Sequence, residues 1–341
     1  MVYFFAFIFA FIISLLFTPL AKKAALYFKI VDYPAVRKIH QTPTPLLGGL
    51  AIFLTFSLAT LFFWQAGKIS DPKITDLNIL AILISGVILI IGGIIDDILN
   101  LKPHWQFIFP VLAVALVLLS GIKVLYVTNP LGGILKFSVS WGIILAFFWL
   151  LGMIYTTKLL DGLDGLVAGI TVIGSIIIFI VSLYWDVPNS GTSILALILA
   201  GSCLGFLLFN WHPAKIFLGE GGSVLCGFLL GVLSIISGSK IATALLVMGI
   251  PVLDVIWVIL RRLAQKKSLV KGDNRHLHFR LLDIGLSHRQ AVLLLYLVSL
   301  SFGLTSLFLP SSGKIIALGI LVLVMATLAI SLVLIYQNKN R

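Results

Sequence analysis

Two uncharged runs, each about as long as a bilayer crossing, fix most of what this chain can become. Phe137 to Thr157 and Gly165 to Trp185 each run 21 residues without a charge. About 20 apolar residues in a helix span the hydrocarbon core of a membrane. Between them lies Lys158 to Leu166, KLLDGLDGL, which sets two carboxylates, Asp161 and Asp164, at a membrane surface. If the local backbone is helical, positions three apart share a face. Gly162 and Gly165 remove side-chain bulk and let a ligand or another backbone come close. Two like charges held together repel unless a cation or a hydrogen-bonding ligand lies between them. A solvated turn between two helices is the plainer reading of the same residues.

The pattern repeats along the chain. Apolar runs cover 2–21, 47–66, 77–95, 106–122, 140–157, 166–184, 192–209, 221–237, 241–260, 290–309 and 314–336, which predicts eleven transmembrane helices. With 60% hydrophobic residues, 11% charged and a mean hydropathy of +1.16, residues 1–341 read as one all-α polytopic membrane domain. A β-barrel would alternate polar and apolar positions. The net charge of +12 invites nucleic acid as a partner, but the lipid bilayer explains it better, because the basic residues segregate by loop. Placing the loop after the first run in the cytoplasm puts 18 of the 24 Lys and Arg inside. The N-terminus is then outside and the C-terminus cytoplasmic. The first run has no basic residue ahead of it and Lys22 and Lys23 after it, as an uncleaved anchor would. Cys203 and Cys226 fall inside runs and read as packing residues. Lys123 to Val127 and Leu135 to Val139 flank turn residues and predict a small external β-hairpin.

Chemistry-bearing residues gather on the inner side, where nine of the twelve acids fall. In the first inner loop Pro34, Pro43 and Pro45 shape the backbone around Arg37, Lys38 and His40, which suits a phosphate-facing loop as well as an ordinary basic anchor. Asp96 and Asp97 end the third run; adjacent buried acids need compensation, and magnesium favours one or two carboxylates plus phosphate oxygens. Glu220, the single glutamate, stands before a Gly-Gly-Ser helix start and is a candidate third carboxylate. Asp254 lies within a run and is a functional candidate for that reason. Arg275, His276, His278 and Arg280 form a poor divalent-metal site but a good pyrophosphate site.

Six strings, VDYPAVRKIHQTPTPLLGGL, GGIIDDILNL, LLDGLDGLVAG, NWHPAKIFLGEGGS, PVLDVIWVILRR and HLHFRLLDIGLSHRQ, together resemble the polyprenyl-phosphate N-acetylhexosamine-1-phosphate transferase family, in its WecA/TagO branch, over nearly the whole chain. The resemblance implies transfer of a sugar-1-phosphate, GlcNAc-1-phosphate first among them, from a UDP-N-acetylhexosamine to undecaprenyl phosphate. UMP is released, and magnesium, or manganese in its place, is the implied cofactor. It further implies a bacterial inner membrane, a cytoplasm-facing site and a product that starts cell-envelope polysaccharide. A homodimer is compatible with it. By position, Asp96 and Asp97 match the family's paired aspartates, with Asp96 acting on the lipid phosphate. Asp161 and Asp164 match nucleotide-site aspartates, Phe217 a uracil-stacking ring and Asn210 a uridine contact. His276 and His278 match a motif near the diphosphate; Arg280, Lys38 and His40 join the substrate-binding set, and Asp97 and Glu220 the metal set.

The chain departs from the family's pattern at several of these places. Tyr155 and Lys158 stand where asparagines are usual, Glu220 where aspartate is, Phe279 where a third histidine is, and Leu46 and Leu47 where the first loop usually reads Pro-Arg before its glycines. Alternatives to the transferase reading are the peptidoglycan (MraY) branch acting on a UDP-muramoyl peptide, an inactive scaffold relative, and more remotely a transporter.

Overall fold

The computed structural model describes residues 1–34, 42–69, 74–129, 133–185, 190–238, 241–265 and 276–339. The elements run α1 (Val2–Tyr27), β1 (Val31–Asp32), β2 (Thr44–Pro45), α2 (Gly48–Gln65), α3 (Asp76–Leu99), α4 (Pro103–Gln106), α5 (Ile108–Leu119), β3 (Tyr126–Thr128), β4 (Ile134–Lys136) and α6 (Val139–Leu160). They continue with α7 (Leu166–Trp185), α8 (Gly191–Asn210), α9 (Gly219–Ile236), α10 (Ile241–Val247), α11 (Gly249–Ala264), α12 (Leu277–Asp283), α13 (His288–Phe308) and α14 (Ser311–Lys339). Among the described residues eight helices are long and apolar enough to cross a membrane, or nine if the bent pair α10 and α11 is one span. The chain is a multi-pass helical membrane protein.

One of the expected runs appears as a shorter apolar helix, at Pro103–Leu119, whereas α14 covers the whole of the last one. Another, 241–260, is broken, with α10 and α11 meeting at 79°. Pro251 lies in the first turn of α11, where a missing N–H costs nothing, so it suits a fresh helix start better than a continuous span. The hairpin of β3 and β4 is present, with Val127 opposite Leu135, slightly offset from the predicted strands. β1 pairs with β2, Val31 opposite Pro45, and so ties together the stems of the first inner loop.

Packing follows membrane logic, with small residues inward and large apolar ones outward. In α1 the buried residues are Ala6, Ala10, Ser14, Thr18, Ala21 and Ala25, while Phe4, Phe5, Leu16 and Leu20 stay exposed. Lipid tails are as apolar as leucine, so close backbone approach, not hydrophobic transfer, holds such helices together. α9 lies at the centre, buried over almost its whole length. Its first turn is locked by glycines: a Cβ on Gly93 of α3 would lie 2.1 Å from Gly221, and one on Gly49 of α2 2.3 Å from Gly222. Three helices therefore meet backbone to backbone at one point, beside the paired aspartates.

Candidate active site

Asp96 and Asp97 leave the last turn of α3 in different directions. Asp96 is buried, and its Oδ1 accepts from the Leu101 N–H at 2.8 Å and from Gln106 Nε2 at 3.1 Å. Asp97 faces α9, where both its oxygens accept from the Glu220 N–H at 3.2 Å. That places a carboxylate on the positive end of a helix. Gly219, at φ +73°, makes the approach feasible: a Cβ there would lie 2.1 Å from the Leu46 carbonyl and 2.8 Å from Asp97 Oδ2.

The stretch 161–165 is a turn and not a helical face, since α6 ends at Leu160 and α7 begins at Leu166. Gly165 adopts φ +80°, and Gly162 abuts His278, whose Nε2 would lie 2.3 Å from an added Cβ. Asp164 Oδ2 accepts from the Ala214 N–H at 3.1 Å and lies 2.7 Å from His212 Nδ1. Asn210 joins this turn to the loop that follows it, accepting from the Gly165 N–H and donating to the Ile216 carbonyl, both at 2.9 Å. Tyr296 of α13 donates its hydroxyl to the Gly165 carbonyl from the other side.

These elements enclose a cavity of about 1030 Å³ lined by Asp96, Asp97, Asp161, Asp164, Asn210, Phe217 and Glu220. Its size exceeds the usual small-molecule pocket of roughly 300–1,000 Å³. Asp32 and Thr44, on the paired strands β1 and β2, line it as well. Asp161 opens onto the cavity from the turn, and the protein around it raises its carboxyl above the usual range. The carboxylates of Glu220, Asp97 and Asp164 push it the same way.

The histidine motif lies behind this wall. Asp254 accepts from the Leu277 N–H at 2.9 Å and lies 2.8 Å from His276 Nδ1, so the acid inside the broken span orients His276 and fixes the start of α12. His278 is 1% exposed, and neither ring nitrogen has a hydrogen-bond partner among the described residues. Burial lowers its pKa from 6.5 to about 4. Among the described residues His276, His278 and Arg280 do not line the cavity, whereas the neighbouring Phe279 does. Lys38 and His40, like Arg275, lie outside the described residues.

Sequence reasoning missed three contributors, Gln106, His212 and His288, and noted Lys158 only as a departure from the family's pattern. Lys158 pairs with Glu220 and donates to Gln106 Oε1 at 2.9 Å. His212 and His288 stack at 4.0 Å with an interplanar angle of 11°. Asp164, His212 and His288 offer three ligand atoms within 4.8 Å of one another, the one such group among the described residues. Stacked rings hold their lone pairs in parallel planes, and zinc needs nitrogens at about 2.0–2.1 Å, so both rings cannot bind one ion as they stand. Magnesium held by Asp97 and Glu220 fits no better in this arrangement. Glu220 already carries an ammonium, and Asp97 faces a backbone N–H.

An acidic cavity at the ends of apolar helices defines a multi-pass membrane protein with a polar site at one end of its helices. Comparison with known proteins narrows the class. A model of glycosyl transferase family 4 matches residues 79–238. The chain is similar to a probable undecaprenyl-phosphate N-acetylglucosaminyl 1-phosphate transferase of Bacillus subtilis, with 33% identity over 89% of this chain and 85% of that protein. It is also similar to a decaprenyl-phosphate N-acetylglucosaminephosphotransferase of Mycobacterium leprae, with 34% identity over 92% and 86%. A phospho-N-acetylmuramoyl-pentapeptide-transferase of Oceanobacillus iheyensis is more distant, with 27% identity over 89% and 95%. The chain belongs to glycosyl transferase family 4 and is a sugar-phosphate transferase.

Proposed function

We propose that this enzyme transfers N-acetylhexosamine-1-phosphate, GlcNAc-1-phosphate first among them, from a UDP-sugar to undecaprenyl or a similar polyprenyl phosphate, releasing UMP. The observation that carries the reading is the cavity in which Asp96, Asp97, Asp161, Asp164, Asn210 and Phe217 converge from three separate stretches of chain. The names of the relatives give the sugar and the lipid class. Their higher identity favours this branch over the peptidoglycan one. We further propose eleven crossings, with the N-terminus outside and the cavity opening to the cytoplasm, on the segregation of basic loops.

The reaction exchanges one phosphoanhydride for another, so the protein contributes position and charge. A phosphate monoester has its second pKa near ~6, so the lipid nucleophile is mostly dianionic at neutral pH and needs no strong base. Asp96, its Oδ1 held by two donors, would orient that phosphate. The uracil stacks on Phe217, beneath which Asn210 fixes the loop. His278 backs Gly162, and His276 stacks on His278, so the pair acts on the diphosphate by shaping the turn that carries Asp161. The test is a panel of UDP-sugars given to purified protein with polyprenyl phosphate and followed by UMP release. UMP from UDP-GlcNAc supports the reading; UMP from a UDP-muramoyl peptide alone assigns the other branch, and none from any donor points to a scaffold.

A further inference from the structure

Two positions at which the chain departs from its family's pattern, Lys158 and Glu220, touch each other across the site. Lys158 is in the last turn of α6 and Glu220 in the first turn of α9. Glycines press these helices together: a Cβ on Gly227 would lie 2.2 Å from Thr157 Oγ1 and 2.4 Å from the Met153 carbonyl. The side chains of the pair are 18% and 25% exposed, so it sits in the cavity wall and not in bulk water. An ammonium has three donors. Besides Glu220, Lys158 engages Gln106 Oε1 at 2.9 Å. With its oxygen so committed, the Gln106 amide must donate through Nε2, and it does, to Asp96 Oδ1 and the Leu101 carbonyl, each at 3.1 Å. A continuous polar chain therefore runs from Glu220 through Lys158 and Gln106 to Asp96.

We propose that Lys158 is the resident cation of this site. Its ammonium neutralises Glu220 on the side that the sequence assigns to a divalent ion, so the substrate-free protein holds no such ion at Glu220. Through Gln106 the same ammonium sets the orientation of Asp96. The physical reason is exclusion. A magnesium ion about 2.0–2.1 Å from a Glu220 oxygen would lie within a few ångströms of the ammonium, and like charges at that range in a partly dry wall repel strongly. Glutamate and lysine thus work as a matched pair: the longer acid reaches the lysine, and the lysine replaces the charge that a bare carboxylate cluster would recruit from solution. The inference rests on the sugar-phosphate reading of the cavity only for its consequence in turnover, not for the ion binding itself.

Manganese, which reports magnesium sites by electron paramagnetic resonance, gives the test without any turnover. The full chain in detergent, free of substrate, is titrated with Mn²⁺ as wild type, Lys158→Asn, Lys158→Met, Glu220→Gln, and Lys158→Asn with Glu220→Gln. Removal of a unit charge next to the ligand should tighten Mn²⁺ binding at least about tenfold in Lys158→Asn, and Glu220→Gln in that background should cancel the gain. Lys158→Met keeps the aliphatic stem and serves if the asparagine variant unfolds. Wild-type protein that binds Mn²⁺ as tightly as both lysine variants, and loses it on Glu220→Gln alone, would overturn the proposal and make Glu220 a metal ligand. Since the readout needs no substrate, a failure here is separable from a failure to transfer sugar phosphate.

Discussion

At the scale of single residues, environment decides role. Phe217, half-buried on the cavity wall, is held by its backbone: its N–H donates to the Pro45 carbonyl at 2.7 Å, and its carbonyl accepts from Gly48 at 3.0 Å. Stacking of a base on an aromatic ring is worth about 1–3 kcal/mol, so Phe217→Ala should raise the nucleotide-sugar KM roughly tenfold to a hundredfold with little change in Tm. An unchanged KM would return Phe217 to packing. His278 makes a pH prediction. Its imidazole is neutral in the fold, with a pKa lowered from 6.5 to about 4, while the unfolded chain takes up a proton near 6.5. Its contribution to stability is therefore complete above about pH 6.5 and is lost as pH falls towards 4, amounting to about 3 kcal/mol. Thermal unfolding in detergent should show wild type losing more stability between pH 7 and pH 4.5 than His278→Gln loses. Equal losses would place the ring in contact with water.

At the scale of elements, the glycine contacts at the start of α9 set the geometry of the acids. Gly93→Ala must push α3 from α9, since the new Cβ would lie 2.1 Å from Gly221 backbone atoms. Overpacking of this kind costs about 1–3 kcal/mol, and here it should also draw Asp97 off the Glu220 N–H and lower kcat. Gly152→Ala in α6, where nothing lies within 4 Å of the added atom, should leave both Tm and kcat intact or raise Tm slightly. Parallel Tm and kcat measurements on the two variants check this; equal behaviour would deny the crossing its role. Much of this level was legible in the sequence, because long uncharged runs are unmistakable and a Gly-rich string beside paired acids reads as close approach. The break between α10 and α11 was hidden, because hydropathy averages over Pro251 and carries no signal of the 79° bend. Gln106, Lys158 and His212 were also illegible as site residues, since their partners are remote in sequence: Gln106 and Lys158 lie 52 positions apart, and His212 and Asp164 48. Asp254 was visible as an unusual acid, but its partner His276 was not, for the same reason.

At the scale of the whole molecule, the account joins a membrane orientation to a reaction. Cys203 and Cys226 are free and buried, so single new cysteines can report sidedness against a quiet background. Lys215→Cys, exposed beside the cavity, should react with an impermeant maleimide only from the cytoplasmic face; Lys136→Cys, on the exposed hairpin strand β4, only from outside. Labelling of both from one side would contradict the proposed topology. The central claim is direct transfer between two phosphates held in one cavity, with no enzyme-bound intermediate. It is tested most directly by isotope exchange: radiolabelled UMP is incubated with purified protein and unlabelled UDP-GlcNAc, with and without polyprenyl phosphate. The account predicts label in UDP-GlcNAc only when the lipid phosphate is present, because only the lipid-linked sugar diphosphate can return the sugar phosphate to UMP. Label appearing in UDP-GlcNAc without the lipid would reveal a covalent intermediate on the enzyme and contradict the account.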